Sequence, residues 1–324
     1  MTEPLLRIAG LSVRFPYRDG RVSWVVRDID LEIMPGEIFG LTGESGSGKT
    51  MLGQAVMGLL PKGAVAEGSV RFKERDLLKL SEGELRRLRG DRLGMVFQDP
   101  MTAFNQTLRV GYQVAEPFMI HRQESEARAR RRSPQLLAQV HVADPETRAN
   151  QYPFELSGGM LQRALIASAI ALRPEILIAD EPTTGLDVTI QAGVLALFKQ
   201  MRDELGAAIL LITHDLGVVA ETCDRVAVMY AGEVVETGPV EEVVNFPRHP
   251  YTQALIRATP EVTQAQGDLE PIPGSLPSPE DLRVRCRFID RCPQAISICE
   301  NHPKLERIGE RSQVRCWVAT GKGQ

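Results

Sequence analysis

The chain has 324 residues, enough for one large α/β domain and a smaller appendage. Its 43% hydrophobic and 25% charged residues are an ordinary globular composition, and a net charge of −4 excludes the global basic field of a nucleic-acid binder. No apolar run reaches the roughly 18 residues of a membrane span, and Met1-Thr2-Glu3-Pro4 lacks the charged and apolar regions of a secretory leader, so a cytosolic location is expected and any membrane role must come from a partner.

Leu5 to Phe15 and Ser23 to Ile33 carry alternating or β-branched apolar residues, which predicts two strands joined by the turn Arg18-Asp19-Gly20. Phe15 is the candidate aromatic for stacking on a base, with Tyr17 second; a plain core or edge aromatic is the alternative. Pro35-Gly36-Glu37 turns the chain into a short buried strand, Ile38-Phe39-Gly40-Leu41. Next comes Gly43-Glu44-Ser45-Gly46-Ser47-Gly48-Lys49-Thr50, which fits the phosphate-cradling pattern G-x-x-x-x-G-K-[ST], and Lys49 to Leu59 reads as a helix. A glycine-rich turn between strand and helix can aim backbone N–H groups and a helix N-terminus at a polyphosphate. Lys49 is expected to reach the β- and γ-phosphates of a nucleotide and the Thr50 hydroxyl to ligate Mg²⁺.

Ser69 to Phe72 predicts a strand, and Ser81 to Arg89 a helix with Ser81 as N-cap and Glu84 completing a capping box. Leu93 to Phe97 runs as a buried strand into Gln98-Asp99-Pro100, which places a polar amide at a strand tip. From Met101 to Gln151 the β signals vanish, so a helical insertion is expected, with Ser133-Pro134 breaking or restarting a helix. Its basic run (Arg128, Arg130, Arg131, Arg132) stands beside Glu124 and Glu126 and reads as a solvated helix face, with a nucleic-acid contact as the alternative. The insertion ends at Leu156-Ser157-Gly158-Gly159-Met160, where Ser157 fits an N-cap and two glycines admit a ligand to the backbone of a second helix N-terminus.

Ile176 to Glu181 is a hydrophobic strand ending in two carboxylates. In a nucleotide hydrolase Asp180 there would hold Mg²⁺, usually through water, and Glu181 would act as general base on the attacking water. Pro182 to Asp187 forms a turn, Val188 to Leu205 a helix, and Ala208 to Thr213 a further strand that delivers His214-Asp215. The phosphate loop, Gln98, Asp180-Glu181 and His214 all sit at C-terminal strand tips, so they are expected on one edge of one sheet. Val226 to Tyr230 and Glu233 to Glu236 close the domain as a hairpin.

These motifs, in this order and spacing, resemble the ATP-binding cassette (ABC) family over roughly residues 5–245. The resemblance implies an α/β P-loop NTPase fold: a parallel-sheet core, an antiparallel β subdomain and a helical subdomain near 101–171, within an ATPase domain at 1–245. It implies a sandwich dimer in which the P-loop of one cassette faces the signature of the other. Ser157, Gly158 and Gly159 would then contact nucleotide held by the partner, with Asp187 beside them; His214 would hold the γ-phosphate, Gln98 would sense Mg²⁺, and Phe15 would stack on adenine. Gln98 to Thr102, Glu181 to Thr184, Asp187 to Gln191, Met160 in the signature, and His249-Pro250-Tyr251-Thr252 followed by Pro271 to Gly274 resemble the dipeptide and oligopeptide importer branch. Asn105-Gln106 and the Ser133-Pro134 break depart from it.

The implied machine is an ATPase on the cytoplasmic face of the inner membrane. It pairs with a second cassette (a paralogue), two integral-membrane permease subunits and, indirectly, an extracytoplasmic substrate-binding protein, and no nucleic acid is expected. Import of nickel or another small solute, and a soluble cassette acting on nucleic acid or ribosome, are the other readings. Residues 246–324 are expected to form an appended C-terminal extension. Its cysteines, Cys286, Cys292, Cys299 and Cys316, follow C-x5-C-x6-C-x16-C. A reducing cytosol disfavours disulfides, and the absence of C-x2-C pairs weakens zinc; cluster, zinc and free thiols stay open. The importer-branch resemblance implies a [4Fe–4S] cluster. His302 is a possible alternative ligand, and Cys223 reads as a structural thiol.

Overall fold

The computed structural model describes residues 3–259, 271–278 and 284–322. The chain divides into two compact units, one made of Met1–Ile33, Ile38–Leu78 and Leu211–Gln324, the other of Met34–Glu37 and Lys79–Leu210.

In the first unit, the strands Val22–Ile33, Leu6–Pro16, Val65–Phe72 and Arg75–Asp76 form an antiparallel sheet in that order. Alternation explains it: Leu6, Ile8, Leu11 and Val13 are buried, and polar residues such as Arg7 face out. The same unit holds the strands Glu306–Arg307, Gln313–Val314, Glu233–Pro239, Arg225–Tyr230 and Ile38–Thr42, again as successive neighbours. The last two are parallel, with Phe39 opposite Arg225, and every residue of Ile38–Thr42 is buried. Such a run reads as continuous apolar sequence because both faces are covered. The helix Lys49–Met57 follows, stopped by Gly58 in the left-handed conformation.

Described residues of the tail belong to this unit. Gln313–Val314 pairs antiparallel with Glu236 and Thr237, and Phe288 and Tyr251 enter one core cluster with Val226, Val228, Tyr230 and Val235. Tyr230, Tyr251 and Phe288 form an aromatic triangle with ring centroids 4.7, 5.1 and 5.5 Å apart. Edge-on geometry, as in the two pairs that Phe288 makes, adds about 0.5–1.5 kcal/mol per pair beyond the buried area. The motif His249-Pro250-Tyr251 has a local reason: the His249 ring accepts from the Tyr251 amide as N-cap, Pro250 occupies the first turn, and Tyr251 turns into the core.

In the second unit, Leu93–Val96 and Ile176–Asp180 pair in parallel, and all their residues are buried. Between them the chain is helical, as expected from residues 101 to 151. The helix Val110–Arg122 carries Pro117 inside; Glu126–Arg130 follows, and Ser133–Gln139 restarts at Ser133-Pro134. The basic run is a salt-bridged face: Arg128 and Arg132 meet Glu124, and Arg130 meets Glu126. Ser81 and Glu84 make the reciprocal capping box. The helix Val188–Leu205 is capped by Asp187, which accepts from the Ile190 amide at 2.9 Å. Among the described residues no helix is long and apolar enough to cross a membrane.

Candidate functional site

The predicted nucleotide residues fall into two sets, one per unit. Gly43 to Thr50, Phe15 and His214 lie in the first; Gln98, the segment Leu156 to Met160, Asp180, Glu181 and Asp187 lie in the second.

The loop Gly43 to Gly48 is held by close backbone approaches that only glycine permits. Gly43 has φ 145°, and a Cβ there would stand 2.1 Å from the Met229 carbonyl oxygen. Gly48 has φ 103°, and its Cβ would stand 2.6 Å from the Val25 carbonyl oxygen. The Ser47 amide donates to the Glu44 carbonyl, and the Gly232 amide donates to the Ser47 carbonyl. Gly48 caps the following helix in the left-handed conformation and without a side-chain bond. Lys49 is only 5% exposed, and its Nζ donates to the Gly43 and Glu44 carbonyls at 2.7 and 3.0 Å. The Ser47 hydroxyl is buried with no hydrogen-bond partner. A buried cation and an orphan hydroxyl in a left-handed glycine loop are the chemistry of a polyphosphate cradle.

Sequence reasoning missed the ring around this loop. The Glu44 amide donates to the Tyr251 hydroxyl at 2.8 Å, and the Glu44 carboxylate meets Arg291 through both oxygens at 2.8 and 2.9 Å. His214 is exposed just after the strand Ala208–Ile212, and Asp215 caps the next helix by accepting from Val218. Phe15 is half-buried opposite Ser23, and Tyr17 is exposed with the Arg21 guanidinium over its ring.

In the second unit the strand Ile176–Asp180 ends with Asp180 buried and Glu181 at φ 46°. Glu181 is thus a non-glycine residue in a left-handed conformation, the kind of backbone outlier that clusters at functional sites. Its carboxylate accepts from the Gln98 amide at 3.2 Å and from the Thr184 hydroxyl at 2.9 Å. The structure therefore joins Gln98 to Glu181 and adds Thr184, which sequence reasoning left without a role. Ser157 caps the helix Gly158–Ile170 by accepting from the Met160 amide; Ser157 and Gly158 are exposed.

The C-terminal cysteines are all unbridged. Burial pushes the Cys286 thiol up to about 12, and Cys299, Cys316 and Cys292 lie near enough to raise it further. Burial also raises Cys292 and Cys316. Yet among the described residues no group of three or more His, Cys, Asp or Glu side chains is arranged to hold a metal ion. The [4Fe–4S] and zinc expectations are therefore not supported by this arrangement. His302 is engaged elsewhere, with its Nε2 at 2.9 and 3.0 Å from the two oxygens of the buried Glu233, which also meets Arg287. Cys223 is half-buried at the end of the helix Leu216–Thr222, close against Gly40.

The ABC transporter family matches residues 26–184, and the oligopeptide/dipeptide transporter C-terminal region matches residues 235–299. A "Probable peptide ABC transporter ATP-binding protein" of Sinorhizobium fredii is 46% identical over 97% of this chain and 94% of its own length. The chain belongs to the ABC transporter ATP-binding proteins. The dipeptide transport ATP-binding protein DppD of Bacillus subtilis is 43% identical to this cassette over 98% of the chain and 95% of its own length. Among solved structures, a dimeric ATP-binding cassette in a post-hydrolysis state with ADP and phosphate superposes with a TM-score of 0.66 at 27% identity. It covers 72% of this chain and 98% of that one. As a cassette ATPase, this chain binds ATP and hydrolyses it.

Proposed function

We propose that this cassette is the ATP-hydrolysing subunit that powers peptide import through a separate membrane permease. The observation that carries the reading is the pairing of an ABC cassette with an oligopeptide/dipeptide transporter C-terminal region in one chain. The domain plan is an ATPase domain at 1–245, with its helical subdomain near 101–171, and an extension at 246–324. The working unit contains a second cassette, a paralogue, and two permease subunits, and sits peripherally on the cytoplasmic face of the inner membrane beneath an extracytoplasmic binding protein.

In this reading Gly43 to Thr50 bind the triphosphate, and Lys49 leaves the loop carbonyls for the phosphates. Mg²⁺, when bound, offsets phosphate charge, and Thr50, Gln98 and Asp180 are the residues that would hold it. Glu181 orients and deprotonates the attacking water, with Gln98 and Thr184 fixing its carboxylate until that water arrives. His214 holds the γ-phosphate. Ser157, Gly158 and Gly159 address the nucleotide of the neighbouring cassette beside Asp187, and Phe15 stacks on adenine. The finer reading of the tail, a cluster on Cys286, Cys292, Cys299 and Cys316, rests on the resemblance alone. Iron and zinc analysis of anaerobically purified protein tests it, and metal-free, fully active protein would overturn it.

The test of the whole reading is ATPase activity in the reconstituted complex with its permease and binding protein. Stimulation by short peptides supports it. Stimulation by nickel or another small solute alone, or co-purification with nucleic acid in place of a permease, overturns it.

A further inference from the structure

The second residue of the P-loop is a carboxylate, in a loop that must admit a polyanion. Left alone, Glu44 would oppose the ligand by like-charge repulsion. In the fold it is not left alone. Arg291 lies 247 positions away in sequence, yet its guanidinium meets both Glu44 oxygens as a fork. The arginine is fixed from behind by the tail's own backbone: Nε donates to the Pro273 carbonyl at 2.7 Å, and a terminal nitrogen donates to the Ile272 carbonyl. It lies over the Tyr230 ring at 5.6 Å, and its side chain is only 6% exposed. Two further tail residues touch the same loop, the Tyr251 hydroxyl on the Glu44 amide and Leu276 beside Gly46. This bidentate pairing in a shielded setting is what arginine supplies and lysine does not.

We propose that Arg291 is a positioning residue for the nucleotide site: by neutralising and clamping Glu44 it makes the C-terminal segment a determinant of ATP affinity. The extension then matters to ATP before any contact with permease or metal. The inference rests on the ATP reading of the P-loop.

The experiment measures binding of a fluorescent ATP analogue, mant-ATP, to the full-length chain, with Lys49→Ala as the control that abolishes binding. Arg291→Met should weaken binding roughly ten- to thirtyfold, the scale of an uncompensated carboxylate a few ångströms from phosphate charge. Glu44→Gln added to Arg291→Met should restore affinity to near the wild-type value. A merely structural loss of tail packing would not be repaired by neutralising Glu44. Wild-type affinity in Arg291→Met, or equal weakness in the double variant, overturns the proposal. Should Arg291→Met not fold, Arg291→Lys decides: it keeps the cation but loses the two-pronged contact, so binding should weaken several-fold, and wild-type affinity overturns the proposal. Wild-type protein that binds no mant-ATP defeats the ATP reading itself, whereas binding lost with Lys49→Ala but indifferent to Arg291 defeats only this inference.

Discussion

The P-loop and the segment Leu156 to Met160 both put glycines at a helix N-terminus, yet they are built on opposite plans. The first is over-determined: Gly43 and Gly48 have positive φ, Lys49 and Ser47 are buried, and the tail closes over Glu44. The second is open: Ser157 and Gly158 are exposed, neither signature glycine has positive φ, and nothing lies within 4 Å of a Cβ built on Gly158. A cradle that must meet phosphate in one geometry is fixed by its own chain. A surface that acts on a ligand held elsewhere needs only to be accessible, and its geometry can be completed by whatever docks on it.

The largest expected effect separates chemistry from binding. Glu181→Gln keeps the shape of the side chain and an acceptor for Gln98 and Thr184 while removing the proposed base. Turnover should fall about 10²- to 10⁴-fold with ATP affinity within a few-fold of wild type, read by phosphate release beside mant-ATP titration. Near-normal hydrolysis would remove Glu181 from its role and leave its φ of 46° without a functional reason.

The closed plan of the P-loop predicts the next effect. Gly43→Ala drives a methyl group into the Met229 carbonyl and asks alanine for a backbone glycine alone adopts readily. A stability loss of at least about 3 kcal/mol follows, measured by chemical denaturation, together with loss of ATP binding. An alanine variant as stable as wild type would show that the loop is far less constrained than its packing implies.

His249 gives a pH-dependent counterpart on the tail side of the same unit. Burial lowers its pKa to about 3. Below about pH 6.5 the unfolded chain takes up a proton at this ring that the folded chain refuses. The stability contribution is therefore complete above that value and is lost as pH falls, at up to about 1.4 kcal/mol per pH unit. Glu236 accepts from the His249 and Arg248 amides, and burial raises its pKa, which acts in the opposite sense at lower pH. His249→Asn keeps a capping acceptor without a titrating ring. Its stability should decline less between pH 7 and pH 5 than that of wild type, and parallel declines would rule out His249 as the source.

What the sequence made legible follows from the range of the interactions. Ile176–Asp180, Val188–Leu205 and the Ser81 capping box are set by local periodicity and caps, and each was readable within about 20 residues. The P-loop was readable because its backbone geometry demands glycine at fixed offsets. The tail was not: its strands are two residues each, Gln313–Val314 takes its register from Glu233–Pro239 and in turn sets Glu306–Arg307, and Arg291 finds Glu44 across most of the chain. A long-range ion pair has no period to betray it. Thr184 on Glu181 was hidden for another reason: it is made in a turn where Glu181 has positive φ, and no local pattern announces that backbone.

The smallest effect on stability is the most direct probe of the open plan. Gly158→Ala adds a methyl group where nothing is met, at a φ that alanine accepts, in the first turn of a helix. Alanine there lowers the entropy of the unfolded chain and favours the helix, so stability should rise by up to about 1 kcal/mol. If the exposed backbone of this segment is where a neighbouring cassette's nucleotide approaches, the same methyl group obstructs that approach. ATPase activity of the assembled transporter should then fall while mant-ATP binding to the isolated chain is unchanged. A variant as active as wild type would mean that no ligand comes close to Gly158, and the open segment would be an ordinary capped helix start.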